Sequence, residues 1–225
     1  MHKIMNFHSI LNPSLLKDQL DLLARLYNKA DLAVDHFVKI SGVSCPAGCG
    51  SCCEGFVPDI LPLEAAALAA FIAIKNRPMA FEMAAMGLSS RDGSTTSCPL
   101  YNKENPYHCS VYEARPLICR LFAFSAVKSK IGEEAFSVCR HGLSSSGIRK
   151  AKGGMLKESF GIMPPVMADF GMELAAMEPD SSADRKILPE AVQLAMPKVL
   201  FIIGLGNSDP WHSGPGLKPL LTKAG

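Results

Sequence analysis

Cys45-Pro46-Ala47-Gly48-Cys49-Gly50-Ser51-Cys52-Cys53 places four thiols within one short stretch, and the other four cysteines of the chain follow at Cys98, Cys109, Cys119 and Cys139. None occurs in the first 44 residues or the last 86 of the 225. Four thiols on one loop converge on a metal more readily than they pair off as unstrained disulfides. A bridge between the neighbours Cys52 and Cys53 would strain the peptide between them. A disulfide framework is the competing reading, and eight cysteines would allow about 105 connectivities. The chain is not very small, and its start, Met1-His2-Lys3-Ile4-Met5, lacks the apolar stretch and small-residue cleavage site of a secretory signal. The expectation is therefore a cytoplasmic protein whose Cys45, Cys49, Cys52, Cys53, Cys98, Cys109, Cys119 and Cys139 are reduced and bind metal. Thiolates are soft, anionic donors, which suits zinc or iron–sulfur clusters better than magnesium or calcium.

The bulk numbers exclude little else. The composition is 48% hydrophobic and 20% charged, with a net charge of +2. That balance argues neither for nucleic-acid binding nor for adhesion to a membrane. The longest apolar run, Val199 to Leu205, is far shorter than the roughly 20 residues of a membrane helix. A metal ion or cluster is the expected partner, with a protein partner left open.

Outward from the cysteines, helical periodicity dominates. Leu16, Leu20, Leu23, Tyr27, Ala30, Val34 and Phe37 recur at spacings of four and three, which predicts a long helix from Pro13 to about Ile40, capped by Asn12 and closed by Gly42. Gly42 to Gly55, with Pro46, Gly48 and Gly50, reads as a loop. Pro62 opens a nearly apolar and hence deeply buried helix over Leu63–Lys75, and a shorter one is expected from Met79 to Leu88. Ser89 to Ser97 is a polar surface loop. Pro116 starts a helical turn bearing Cys119 and Arg120. Leu121–Val127 and Ala135–Val138 flank a polar turn as a small β-hairpin, and Ser144 to Gly154 reads as a flexible basic connection. Helices resume at Pro165–Met177 and Pro189–Ile203, followed by a loosely ordered tail around Trp211. The fold class is thus mainly α: a small helical domain around a cysteine-rich metal site, with a short β-hairpin and irregular loops. We divide it into an N-terminal helix packing on the core (1–41), a cysteine-cluster metal-binding domain (42–142) and a helical C-terminal extension (143–225).

Sequence does not partition the ligands. Two four-cysteine sets would make two sites, or one polynuclear centre would use most of them. Adjacent Cys52 and Cys53 are expected to project differently, which favours more than one metal atom or a spare thiol. His108 and His141, beside Cys109 and Cys139, are candidate neutral ligands. Arg115 and Arg120 are placed either to offset thiolate charge or to pair at the surface with Glu113 or Glu104.

Cys-x3-Cys-x2-Cys-Cys, then Cys98-Pro-Leu-Tyr, Cys109-Ser-Val-Tyr-Glu-Ala-Arg-Pro-Leu-Ile-Cys119-Arg-Leu-Phe and a final Cys139, resembles the YkgJ-type cysteine-cluster family over about residues 42 to 142. The resemblance implies a bacterial zinc- or iron-chelating domain, and a related cluster occurs in flagellin lysine methylases. The functional expectation is a protein holding an iron–sulfur cluster, narrowly preferred, or zinc, for electron transfer, metal handling or a protein-modifying system. The alternative is an enzyme. Cys45-x3-Cys49-x2-Cys52 has the cluster spacing of radical S-adenosylmethionine proteins, although Ser51 stands where an aromatic usually precedes the last ligand and Cys53 is superfluous. A methyltransferase-like modifier follows from the flagellin methylase likeness, and a free reactive thiol at Cys52 or Cys53 is a third reading.

Overall fold

The computed structural model describes residues 14–46, 49–86, 96–104, 108–181 and 183–206. Within them the chain forms helix α1 (Leu15–Ser41), α2 (Ser51–Glu54), strand β1 (Asp59–Ile60), α3 (Pro62–Lys75), α4 (Arg77–Met86), α5 (Leu117–Leu121), β2 (Val127–Lys128), β3 (Glu134–Ser137), β4 (Lys150–Lys152), α6 (Met155–Phe160), α7 (Met167–Ala175), β5 (Lys186–Ile187) and α8 (Leu188–Gly206). The protein is mainly α with a small β component, as the sequence periodicity indicates.

The long α1 begins where the Ser14 hydroxyl accepts the Lys17 amide, so Ser14 rather than Asn12 is its cap; Asn12 lies outside the described residues. It ends at Gly42, whose φ of 66° is the left-handed conformation that frees the last carbonyls for capping. A side chain there would also collide with Ser145. The apolar stripe buries Leu20, Leu23, Tyr27, Ala30 and Phe37. α3 is buried almost throughout, because α1, α4 and α8 surround it. α8 supplies Leu188, Val192, Met196, Val199 and Ile203 at helical spacing to the same core. That core therefore takes side chains from residue 20 to residue 203, well beyond the cysteine-rich segment.

A second apolar cluster holds the far end of α1. Phe37, Phe136 and Phe160 meet edge to face, with centroids 5.1 to 6.0 Å apart, and tie α1 to the sheet and to α6. The expected hairpin is present as β2–β3, paired antiparallel. The segment read as a flexible connection adds a third strand, β4, because Ala151 opposite Phe136 gives it an apolar position on the sheet. β1 and β5 form a separate two-stranded pair. α4 starts at Arg77, earlier than expected, since Pro78 occupies its first turn, where a proline costs no hydrogen bond. The loop expected over 42–55 is interrupted by α2. Residues 89–95 and the tail with Trp211 lie outside the described residues.

Candidate metal centre

Three backbone contacts bring the cysteine-bearing segments together. Ser44 and Leu143 exchange amide hydrogen bonds at 2.9 and 3.0 Å, which sets Cys45 beside the turn that carries Cys139. The Cys98 amide donates to the Cys53 carbonyl at 2.8 Å. Tyr101 bridges to Cys109, and the Ser110 amide donates to the Leu100 carbonyl, so the Cys98 turn and Cys109 form one unit. Cys119 rides on α5.

The thiols sense one another accordingly. Burial and the neighbouring Cys49, Cys139 and Cys52 push the Cys45 thiol up to about 11. Burial, with Cys98 and Cys109, pushes Cys119 well above the usual thiol range. Cys109 rises to about 11, first by burial and then through Cys98. Cys52 moves the other way, down to about 6, because the Cys53 thiol is hydrogen-bonded to it; the amides of Cys52 and Cys53 and the Arg115 guanidinium add to this against burial. The same contact raises Cys53.

The Sγ atoms of Cys52 and Cys53 lie 3.9 Å apart. Two thiolates on one tetrahedral zinc, at about 2.3 Å each, are about 3.8 Å apart. Such neighbours are expected to project differently and so to serve separate metals more easily; on the α2 turn their sulfurs nonetheless come within reach of one metal. Converging is not yet coordinating, however. Among the described residues no three His, Cys, Asp or Glu donors stand together as a formed ion site.

Behind α5 lies a buried polar frame. Arg120 donates to Asp31 of α1 and to the Glu113 and Arg115 carbonyls, with its guanidinium 4.2 Å above the Tyr27 ring. Asp31 also faces Arg115 at 3.7 Å. The surface pairs expected with Glu113 or Glu104 side chains are therefore replaced by a buried one, 89 residues away in sequence. Glu64 of α3 accepts the Leu117 amide at 2.8 Å, the Leu61 amide at 3.2 Å and the Tyr27 hydroxyl at 3.1 Å. Burial pushes its carboxyl above the usual range, against the pull of those three donors. Asp31 and Glu64 together fix the start of α5 and hence Cys119. Sequence reading missed both. The signals were present: Asp31 falls one turn after Tyr27 on the buried stripe, and Glu64 is an acid within a nearly apolar helix.

The two histidine candidates part company. His141 is exposed and its Nε2 accepts from Arg140 at 2.9 Å. His108 turns inward: its Nδ1 is buried with no hydrogen-bond partner, as is the Nε of Arg115. Soft thiols, a cationic guanidinium near Cys52, Cys109 and Cys119, and two orphaned polar atoms suit a thiolate-bound zinc or iron centre.

Comparison with known families agrees with this donor chemistry. Residues 44–141 match the family model CxxCxxCC, described as "Putative zinc- or iron-chelating domain". That stretch of the chain is similar to the CxxCxxCC family. Its limits coincide with the stretch that the cysteine spacing picks out, and the domain description supports metal as the ligand class. No curated protein and no solved structure matches the chain. α1, most of α3's helical partners and the whole of α6 to α8 are either outside the CxxCxxCC segment or shared with it through the core. Among the described residues, no helix is long and apolar enough to cross a membrane.

Proposed function

We propose that this protein binds zinc or iron through Cys45, Cys49, Cys52, Cys53, Cys98, Cys109, Cys119 and Cys139, with an iron–sulfur cluster preferred. The observation that carries the reading is the 3.9 Å separation of the Cys52 and Cys53 sulfurs. The Cys45 thiol feels Cys49, Cys139 and Cys52, and the Cys119 thiol feels Cys98 and Cys109. Cys52 acts on members of both groups. One polynuclear centre that spans the pair accounts for this arrangement better than two separate tetrahedral sites, which would divide a pair already at single-metal spacing. The role that follows is metal handling or electron transfer within the cytoplasm.

The radical S-adenosylmethionine alternative has no support in the fold, because the strands of the described residues pair antiparallel in sheets of two and three. The test is purification without oxygen, followed by metal and acid-labile sulfide analysis. Two or more iron atoms per chain with matching sulfide are expected. Two zinc atoms without sulfide would select zinc, one metal atom would refute the polynuclear centre, and a metal-free folded protein would sink the reading.

A further inference from the structure

Resting on that reading, we propose that Nδ1 of His108 is a ninth donor, binding the metal centre alongside the cysteines. Four observations meet at this residue. First, Nδ1 is buried and unpartnered, and a buried polar atom without a partner is destabilising. Second, the His108 backbone sits at φ 53°, a left-handed conformation shared among the described non-glycine residues with Ala123 alone. A side chain there costs free energy that glycine or asparagine would avoid. Third, Gly50 makes room for the ring. Its φ of −111° is open to any residue, so its backbone does not require glycine. A Cβ at Gly50, however, would fall 2.7 Å from His108 Nδ1 and 2.9 Å from the His108 Cβ. The imidazole is thus packed over the backbone between Cys49 and the α2 turn of Cys52 and Cys53, and Cys109 is its chain neighbour. Fourth, the placement is held: the Asn102 amide donates to the His108 carbonyl at 3.2 Å, and the ring meets Tyr101 edge-on at 5.8 Å.

Two unfavourable features at one residue, within a cluster of thiols, are the pattern of a side chain retained for its chemistry. A neutral imidazole nitrogen binds zinc and iron alike, so the assignment does not depend on which is resident. Loading would satisfy the orphaned nitrogen and add a neutral donor to a strongly anionic set.

The test uses the full chain, reduced and loaded with cobalt(II) as the probe. It compares wild type with His108→Asn and His108→Gly, both of which suit the left-handed backbone, and with His141→Asn as control. Thiolate-to-cobalt absorption reports the cysteines, and pulsed EPR reports an imidazole nitrogen coupled to the metal. Wild type and His141→Asn are expected to show that coupling. Both His108 variants are expected to lose it and to bind cobalt at least about tenfold more weakly, since even residues that only support a ligand cost about that much. Wild type with thiolate absorption but no nitrogen coupling, or His108 variants that keep coupling and affinity, would overturn the assignment while leaving the cysteine centre standing. A wild type that takes up no cobalt would instead overturn the cysteine reading, and this proposal with it.

Discussion

Removing the carboxylate of Asp31 tests the frame that positions Cys119. Asp31 and Arg120 have side chains 6% and 5% exposed, so the pair is screened little by solvent. Breaking such a pair by deleting one partner leaves the other charge buried, at about 3–5 kcal/mol. The Asp31 variant is worse placed than most, because Arg115 also loses its counter-ion and two guanidiniums then face each other. Asp31→Ala is therefore expected at the upper end, about 4–5 kcal/mol, a large share of a total stability of about 5–15. Arg120→Met leaves Asp31 facing Arg115 and strips donors from the Glu113 and Arg115 carbonyls, for about 3 kcal/mol. The double variant removes both buried charges at once. It is expected to cost less than the sum of the two by about 2–3 kcal/mol. Urea denaturation followed by far-UV circular dichroism, with reductant and chelator present for every variant, gives all four corners of the cycle. Asp31→Ala within about 1 kcal/mol of wild type, or strict additivity in the double variant, would refute the buried-pair argument.

Glu64 makes a pH prediction. Its folded pKa is raised above the unfolded value of about 4.3, so the stability linked to its proton is fully present below that value and lost as pH rises through the folded one. Glu64→Gln removes this dependence, so wild type should lose stability relative to the variant from about pH 4 upward; a difference that stays flat with pH would contradict it. Gly50→Ala, with a Cβ 2.5 Å from the Tyr101 ring as well as against His108, should cost about 1–3 kcal/mol in denaturation, and less than about 0.5 would show that the site yields freely. Cys49→Ser should lower metal content and thermal midpoint together, whereas an unchanged metal content would remove Cys49 from the ligand set. Chelation should lower the thermal midpoint yet leave the helical signal at room temperature, because the α1–α3–α8 core is apolar and continuous without metal; loss of that signal would show that folding requires the centre.

Much of the helical frame was legible because its causes are local. The four-and-three spacing of Leu16 to Phe37, the run of alanines after Pro62 and the proline before Cys119 each specify a helix whatever surrounds them. β4 and β5 were not legible. Each is two or three residues long and exists because a distant partner strand offers unpaired amides, which leaves no periodicity in Lys150–Lys152 or Lys186–Ile187. α2 escaped for a related reason: one helical turn between glycines has no pattern, yet it sets the Cys52–Cys53 geometry. The cysteine spacing marked the limits of the CxxCxxCC domain. It did not show that α1, beyond those limits, supplies the buried acid against the arginine next to Cys119.

That division of labour gives the centre an uneven stiffness. Cys119 stands on a turn whose first amide is held by Glu64 and whose arginine is held by Asp31, both buried in helices of the main core. Cys45 and Cys49 hang instead on a stretch tied by the Ser44–Leu143 exchange and by the Cys49 amide on the Pro46 carbonyl, and Cys45 is exposed. Holding a side chain in one place costs conformational entropy, and a group already fixed by its neighbours costs little more to occupy. Cys119 is therefore the more firmly held thiol of the proposed centre.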